Sequence, residues 1–419
     1  MQTNGYDNGV SLARAWQAEG RMLYCEGEVN EAYGMVDEES VKKLGDDAAR
    51  QGLNLDLIEH WKEQAILGQN KEALRRLRAW NEKRLLGSVE ELHQEILARR
   101  FSEEKYPEIQ GLAAYEDAEV RGIADTFGID YRRVLLCKEP YRRLMHLRIT
   151  ESWESGPRQN GKCTTVIFKD SPVGPIIGRN LDSGISAMAH LQKYGEPVLF
   201  QYPKEVGYSY IAGTLCINSE GLVISGSSIA YPKEPMPKDR YPVEIYSLVL
   251  KFCKNVTEAL ELMQRYNPFF GPTNMLVFDR TGDAAVIEKS KNTLAVRRTE
   301  ENWIFVTDGL AVEAKTRRIQ GDNTPVYQFN LQRYQLIEKL LKKEAKKPSI
   351  EAMQRIMYNH TMPSPVCKHL DRMPSYYQLA NLYSFIFLPE KRLSYFRLMR
   401  PGPSYPCEEE ATEYSYWFR

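Results

Sequence analysis

The sequence predicts an α+β protein in which antiparallel sheets are covered by helices. Three observations carry that reading: helical periodicity fills the chain from about residue 10 to 150, the texture turns β-rich near residue 160, and the strand-like runs beyond it come in hairpin pairs rather than alternating singly with helices. The 419 residues suffice for about two or three folding units at about 100–200 residues each. Apolar residues at 42% and charged ones at 27% are globular proportions, which excludes wholesale disorder, a collagen-like repeat and a disulfide miniprotein. Because 56 Lys and Arg balance 56 Asp and Glu, no overall positive field exists to gather nucleic acid or anionic lipid, and neither is expected as a partner.

Taken in order, the first helical signals are Ser88 with Glu91, a capping box for a helix through Leu92, Ile96 and Leu97. Ile109, Leu112, Ala113, Val120, Ile123, Ala124 and Phe127 then recur at helical spacing, with Gly128 placed to end the helix in a left-handed conformation. Cys163 to Phe168 reads as a strand, Lys169 to Gly174 as a turn and Pro175 to Gly178 as the returning strand. Further strands are predicted over Tyr208 to Asn218, Leu222 to Ser225, Asn274 to Asp279, Ala284 to Glu288 and Trp303 to Thr307. Helices are predicted over Val243 to Tyr266, Leu331 to Lys343 and Ile350 to Asn359, and a last hairpin joins Leu382–Leu388 to Leu393–Met399 across Pro389, Glu390 and Lys391. Trp61 and Trp80 read as packing residues of the helical region, and the lysine-rich stretch Lys342 to Lys347 as a solvated helix end.

The first residues, MQTNGYDNGVS, lack the basic start and apolar stretch of a signal peptide, and no run of about 18 apolar residues occurs anywhere. A soluble, cytoplasmic protein without membrane partners is expected, in which the sequon Asn255-Val256-Thr257 carries no glycan. The cysteines, Cys25, Cys137, Cys163, Cys216, Cys253, Cys367 and Cys407, are scattered, odd in number and never in a CxxC spacing, and the histidines form no HxxxH pair. Neither a disulfide framework nor a metal site is therefore expected. Cys216 and Cys253 sit in apolar runs and read as core, and nothing around Cys367 and His369 has the context of a papain-like nucleophile.

One segment carries chemistry. Cys163 opens a strand, and Arg179 and Asp182 lie 16 and 19 residues later on its hairpin partner. Antiparallel strands joined by a short turn return such positions to each other's side, so thiol, guanidinium and carboxylate can share one small site. A neighbouring Arg favours the thiolate, the nucleophilic form of a cysteine.

Cys163-Thr164 followed by Gly178-Arg179-Asn180-Leu181-Asp182 resembles the N-terminal-nucleophile hydrolases of the choloylglycine hydrolase, acid ceramidase and penicillin acyltransferase group. Weaker matches point to the penicillin-acyltransferase-like branch. They are Glu119 to Ala124, Asn218-Ser219-Glu220-Gly221-Leu222, the hairpin from Asn274 to Glu288, Val366-Cys367-Lys368-His369 against an Ile-Cys-Arg-His pattern, and Arg400 to Pro403, so that the resemblance spans about residues 105 to 410. It implies a four-layer αββα sandwich preceded by a helical pro-region. It further implies autocatalytic cleavage between Lys162 and Cys163, giving an α chain of residues 1–162 and a β chain of 163–419 that stay associated. In that scheme Cys163 is the nucleophile, its freed α-amine is the base, Asp182 orients the amine, and Arg179 holds the thiolate and Asp182. Ser228 and Asp308 stand where the group has oxyanion-hole positions, and Asp308 replaces an Asn there. The implied activity is cleavage or transfer at a linear, non-peptide amide, with a small acylated amine or amide as substrate and no cofactor. The alternative from another class is a catalytically silent, unprocessed binding protein of the same fold.

Overall fold

The computed structural model describes residues 4–18, 86–87, 89–95, 111–137, 163–183, 208–210, 215–227, 245–267, 270, 273–289, 294–307, 325–373, 379–399 and 405–415. By compactness the chain divides into a unit of Met1–Glu154 with Pro235–Glu244 and a unit of Ser155–Glu234 with Ile245–Arg419. The expected division at Cys163 concerns covalent cleavage, a separate matter from compactness. Ser88, Ile96, Leu97, Ile109, Trp61 and Trp80 lie outside the described residues. Among those described, no helix is long and apolar enough to cross a membrane.

In the first unit, helix α1 (Gly5–Ala18) packs on α2 (Leu112–Phe127), which α3 (Tyr131–Cys137) follows. Gly128, at φ 66° and ψ 37°, caps α2 in the left-handed conformation expected of it. The two long helices cross with almost no side chain between them: a Cβ at Gly122 would overlap the Tyr6 carbonyl oxygen, and one at Gly9 would overlap that of Glu119. Buried Asn8 donates to the Glu119 carboxylate, and the Tyr6 hydroxyl donates to Asp125 at 3.0 Å. Glu119 and Gly122, in the segment that resembles a pro-region signature, are thus residues that receive α1.

The second unit is built from two six-stranded antiparallel sheets. The first runs β12-β11-β10-β2-β1-β9 and the second β3-β4-β5-β6-β7-β8. The strands are β1 (Thr164–Phe168), β2 (Ile176–Ser183), β3 (Tyr208–Tyr210), β4 (Leu215–Asn218), β5 (Val223–Ser227), β6 (Thr273–Phe278), β7 (Ala284–Lys289), β8 (Leu294–Arg297), β9 (Trp303–Val306), β10 (Ala380–Leu388), β11 (Leu393–Leu398) and β12 (Thr412–Ser415). One apolar layer lies between the sheets and includes Ile167, Ile177, Leu215, Leu276, Ile304 and Phe385. The other face of the first sheet, through Val166, Phe168, Ile176 and Phe305, packs on α6 (Pro325–Glu344) and α7 (Ile350–Met357). Helices α4 (Ile245–Phe252) and α5 (Val256–Arg265) cover the second sheet. The layers are therefore helix, sheet, sheet and helix, as the resemblance implied. Cys216 and Cys253 are buried, as expected of core thiols.

Several short motifs turn out to be scaffolding. Asn218 donates to the carbonyls of Leu250 and Cys253 at 3.2 and 2.7 Å, closing the end of α4, while its own oxygen accepts from the amides of Glu220 and Leu222 in a turn completed by Gly221 at φ 82°. The predicted helix over Val243 to Tyr266 is two helices, broken where Asn255 caps α5 by accepting from the Glu258 amide at 2.9 Å. Asp279 accepts from the Val256 amide at 2.9 Å and so ties the β6–β7 turn to the same helix start. Tyr208 to Asn218 is likewise two strands, and β8 and β12 add an outer strand to each sheet.

The close crossing in the first unit yields a prediction. Gly122→Ala puts a methyl group against backbone that has no freedom to turn away, and is expected to destabilise the α1–α2 pair by about 1–3 kcal/mol. Gly87→Ala, where nothing lies within 4 Å of an added Cβ, is the control and is expected to be neutral or mildly stabilising. Hydrogen exchange of the α1 amides reads the difference, and equal protection in the two variants contradicts the crossing.

Candidate active site

The layer between the sheets turns polar at one end. Along β1 the inward positions run Ile167, Thr165 and then Cys163 just before the strand; along β5 they run Val223, Ser225, Ser227; along β10 they run Phe387, Phe385, Tyr383. Thr165 faces Arg179 across β1–β2, and Phe385 faces Arg179 across β10–β2. Arg179 is fully buried. Its Nη1 donates to Thr165 Oγ1 at 2.8 Å and Ser225 Oγ at 2.5 Å, and its Nη2 donates to the Gly226 carbonyl at 2.9 Å, so one guanidinium joins the two sheets. Burial opposes that charge, but electrostatic interaction with Cys163, Tyr383 and Tyr246 holds the Arg179 pKa above its ordinary value. Tyr246 is pushed up to about 12, and Tyr383 is also raised, in both cases chiefly by burial. A Cβ at Gly226 would overlap the Tyr246 hydroxyl, which is why the strand carries glycine beside the guanidinium.

Cys163 is buried at 7% exposure, and its carbonyl oxygen accepts from Ser227 Oγ of the second sheet at 3.0 Å. Asp182 lies on the opposite face of β2 from Arg179, because an odd separation along a strand reverses the side chain. The expectation that Arg179 also holds Asp182 is corrected on that ground. The Asp182 carboxylate is instead held by two buried cations: Lys368 Nζ donates to Oδ2 at 2.7 Å and Arg333 Nη1 to the same oxygen at 3.4 Å. Oδ1 accepts no hydrogen bond among the described residues. Lys368 is pulled down to about 7, first by burial and then by the like charge of Arg333, against the pull of Asp182.

Thr307 links this cluster to β1 and β6. Arg333 Nη2 donates to its hydroxyl at 2.7 Å, Thr164 Oγ1 lies 3.4 Å from that hydroxyl, and Asn274 Nδ2 donates to its carbonyl at 2.9 Å. Asn180, between Arg179 and Asp182, donates to the carbonyls of Met357 and Val366 at 2.8 and 3.2 Å and so binds β2 to the end of α7 and the loop after it. Lys162, Ser228 and Asp308 lie outside the described residues. Sequence reading missed Lys368, Arg333, Ser227, Tyr383 and Tyr246. A signal existed for Lys368 alone, which stands at the Arg of the Ile-Cys-Arg-His match.

A buried thiol at the head of an inner strand of stacked antiparallel sheets, with a buried guanidinium beside it, fits the acyl-transfer class that the resemblance implied. A sequence profile of the acyl-coenzyme A:6-aminopenicillanic acid acyl-transferase family matches residues 170–403, more than half of the 419 residues, and the chain belongs to that family. The match contains Arg179, Asp182, Arg333 and Lys368 and begins just after Cys163. No curated protein matches the sequence. Among solved structures, a mutant conjugated bile acid hydrolase from Clostridium perfringens aligns at 13% identity and TM-score 0.33, over 61% of this chain and 97% of that one. Penicillin V acylase from Agrobacterium tumefaciens aligns at 13% identity and TM-score 0.34, over 56% of this chain and 83% of that one. At these scores the likeness is too faint to bear on the chemistry.

The two-cation clamp on Asp182 is testable. Lys368→Met removes the closer donor but leaves Arg333 paired with the carboxylate, and is expected to cost about 1–3 kcal/mol of stability in denaturant unfolding. Asp182→Asn leaves Arg333 and Lys368 buried without their carboxylate and is expected to cost more, about 3–5 kcal/mol. A loss in Asp182→Asn no larger than that in Lys368→Met contradicts the clamp.

Proposed function

We propose that this protein is a self-processing cysteine amidohydrolase or acyltransferase that acts on a linear, non-peptide amide through an acyl-enzyme on Cys163. The single observation that carries the reading is the division of charge around β2: Arg179 points into the layer between the sheets, at the polar end of which Cys163 sits, and on the other side Asp182 is clamped through one oxygen with the second left to accept. In processing, the Cys163 thiol attacks the Lys162 carbonyl and the peptide C–N bond breaks, leaving an ester at sulfur and a free α-amine on Cys163. Water then cleaves that ester, giving the Lys162 carboxylate and regenerating the thiol. The α chain of residues 1–162 remains associated with the β chain of 163–419.

The freed α-amine, with an ordinary pKa of about 8, takes the proton of its own thiol, and Asp182 Oδ1 accepts a hydrogen bond from the resulting ammonium. The thiolate attacks the amide carbon of the substrate, the amine leaving group departs with the ammonium's proton, and a thioester remains. Water or an acceptor amine then resolves the thioester. Arg179 balances charge on the sulfur. Ser228 and Asp308 are the proposed neighbours of the developing oxyanion, Ser228 as a hydroxyl donor and Asp308 as one only when protonated.

Cys163→Ala is expected to lower turnover of a panel of N-acyl amines by at least about a thousandfold. A thiol-reactive probe is expected to label Cys163 in the wild-type protein and to block turnover in proportion to labelling. Turnover that survives in Cys163→Ala sinks the assignment, and a protein inert to both probe and panel is the silent binder.

A further inference from the structure

Away from the nucleophile, four side chains from two separate stretches of chain converge on one point. His360, Cys367 and His369 lie on the loop after α7, and Cys407 lies on the 3-10 turn Pro406–Glu408, 38 residues past His369. One ligand-type atom from each lies within 4.8 Å of all the others. The two Nε2 atoms of His360 and His369 are 3.1 Å apart, His369 Nε2 is 3.1 Å from Cys407 Sγ, and Cys407 Sγ is 3.4 Å from His360 Nε2.

Those separations are close to the edges of a coordination tetrahedron. With Zn–N of about 2.0–2.1 Å and Zn–S of about 2.3 Å, a tetrahedral centre sets N···N at about 3.3 Å, N···S at about 3.6 Å and S···S at about 3.8 Å. We propose that His360, Cys367, His369 and Cys407 bind one zinc ion in a closed, structural Cys2His2 site. Two thiolates neutralise the dication, so the centre carries no net charge, and binding releases the two thiol protons to solvent. The surroundings have the form of an outer shell. The Glu408 carboxylate lies 4.0 Å from His369 Nδ1, on the ring nitrogen that does not face the centre, and is itself fixed by accepting from the Tyr405 amide at 3.0 Å. Tyr405 stacks on the His369 ring with centroids 3.8 Å apart, and Asn381 Nδ2 approaches Cys367 Sγ at 3.7 Å.

All four positions come from the protein, which leaves none open for substrate or water, so the ion's role is to fasten chain to chain. The segment it fastens carries Lys368 between two of the ligands, with Nζ on the Asp182 carboxylate. A disulfide between Cys367 and Cys407 is the competing use of the same thiols, and both cysteines are free in the structure.

The test is metal analysis of the full-length protein purified from zinc-supplied cells without chelator. About one zinc per chain is expected in the wild type and equally in Cys163→Ala, so the result stands whether or not the proposed chemistry does. His360→Ala and Cys407→Ser are expected to lose the ion. If either variant fails to fold, cobalt titrated into chelator-stripped wild type decides instead, through the intense thiolate-to-cobalt absorption of a tetrahedral site. Wild type without stoichiometric zinc and without that absorption overturns the proposal. So does a Cys367–Cys407 disulfide in protein isolated under reducing conditions.

Discussion

A guanidinium with no exposure to solvent needs its N–H groups met by acceptors, and at Arg179 those acceptors come from both sheets of the sandwich. Thr165 belongs to the first sheet and Ser225 and Gly226 to the second. An unpaired charge at that depth would cost several kcal/mol, so the two sheets are held to the register that supplies the acceptors. The apolar layer could tolerate small slips between sheets, because dispersion and burial are not directional. The guanidinium cannot. What it fixes is the polar end of the layer, where Cys163 sits with its carbonyl on Ser227.

The period of a β-strand then separates two electrostatic tasks. Arg179 faces the layer between the sheets, while Asn180 and Asp182 face α6, α7 and the loop beyond them. The carboxylate is thereby kept from pairing with the Arg179 guanidinium, and it takes its own cations from Arg333 and Lys368. The two charged groups thus lie on opposite faces of one strand, the guanidinium met by hydroxyl and carbonyl oxygens and the carboxylate by cations. Thr164 and Thr307 connect the faces at the head of β1.

Much of the architecture was legible because its signals are local. The β1–β2 hairpin, the β6–β7 and β10–β11 pairs, the left-handed cap at Gly128 and the helices α6 and α7 all follow from periodicity and turn residues a few positions apart. The core strands read as near-continuous apolar runs because both faces of each sheet are covered. The outer strands β8 and β12 were not legible: LAVR and TEYS are short, partly exposed and without alternation. At the candidate site, the proximity of Cys163, Arg179 and Asp182 was legible because one hairpin carries them. Arg333 and Lys368 come from α6 and from the loop after α7, 151 and 186 residues beyond Asp182, and no short pattern encodes such a meeting. The same distance hid the gathering of His360, Cys367, His369 and Cys407, since spacing rules find metal ligands only when the chain presents them close together.

In the proposed mechanism Cys163 becomes the first residue of a chain and uses its own amine as base. An internal Cys163 has no α-amine, so the uncleaved protein lacks the base that the mechanism requires. Intact-mass spectrometry of the purified protein under denaturing conditions tests this directly. The predicted result is two masses, one for residues 1–162 and one for 163–419 with cysteine at its N-terminus, collapsing to a single full-length mass in Cys163→Ala. A single full-length mass in active wild-type protein would contradict it.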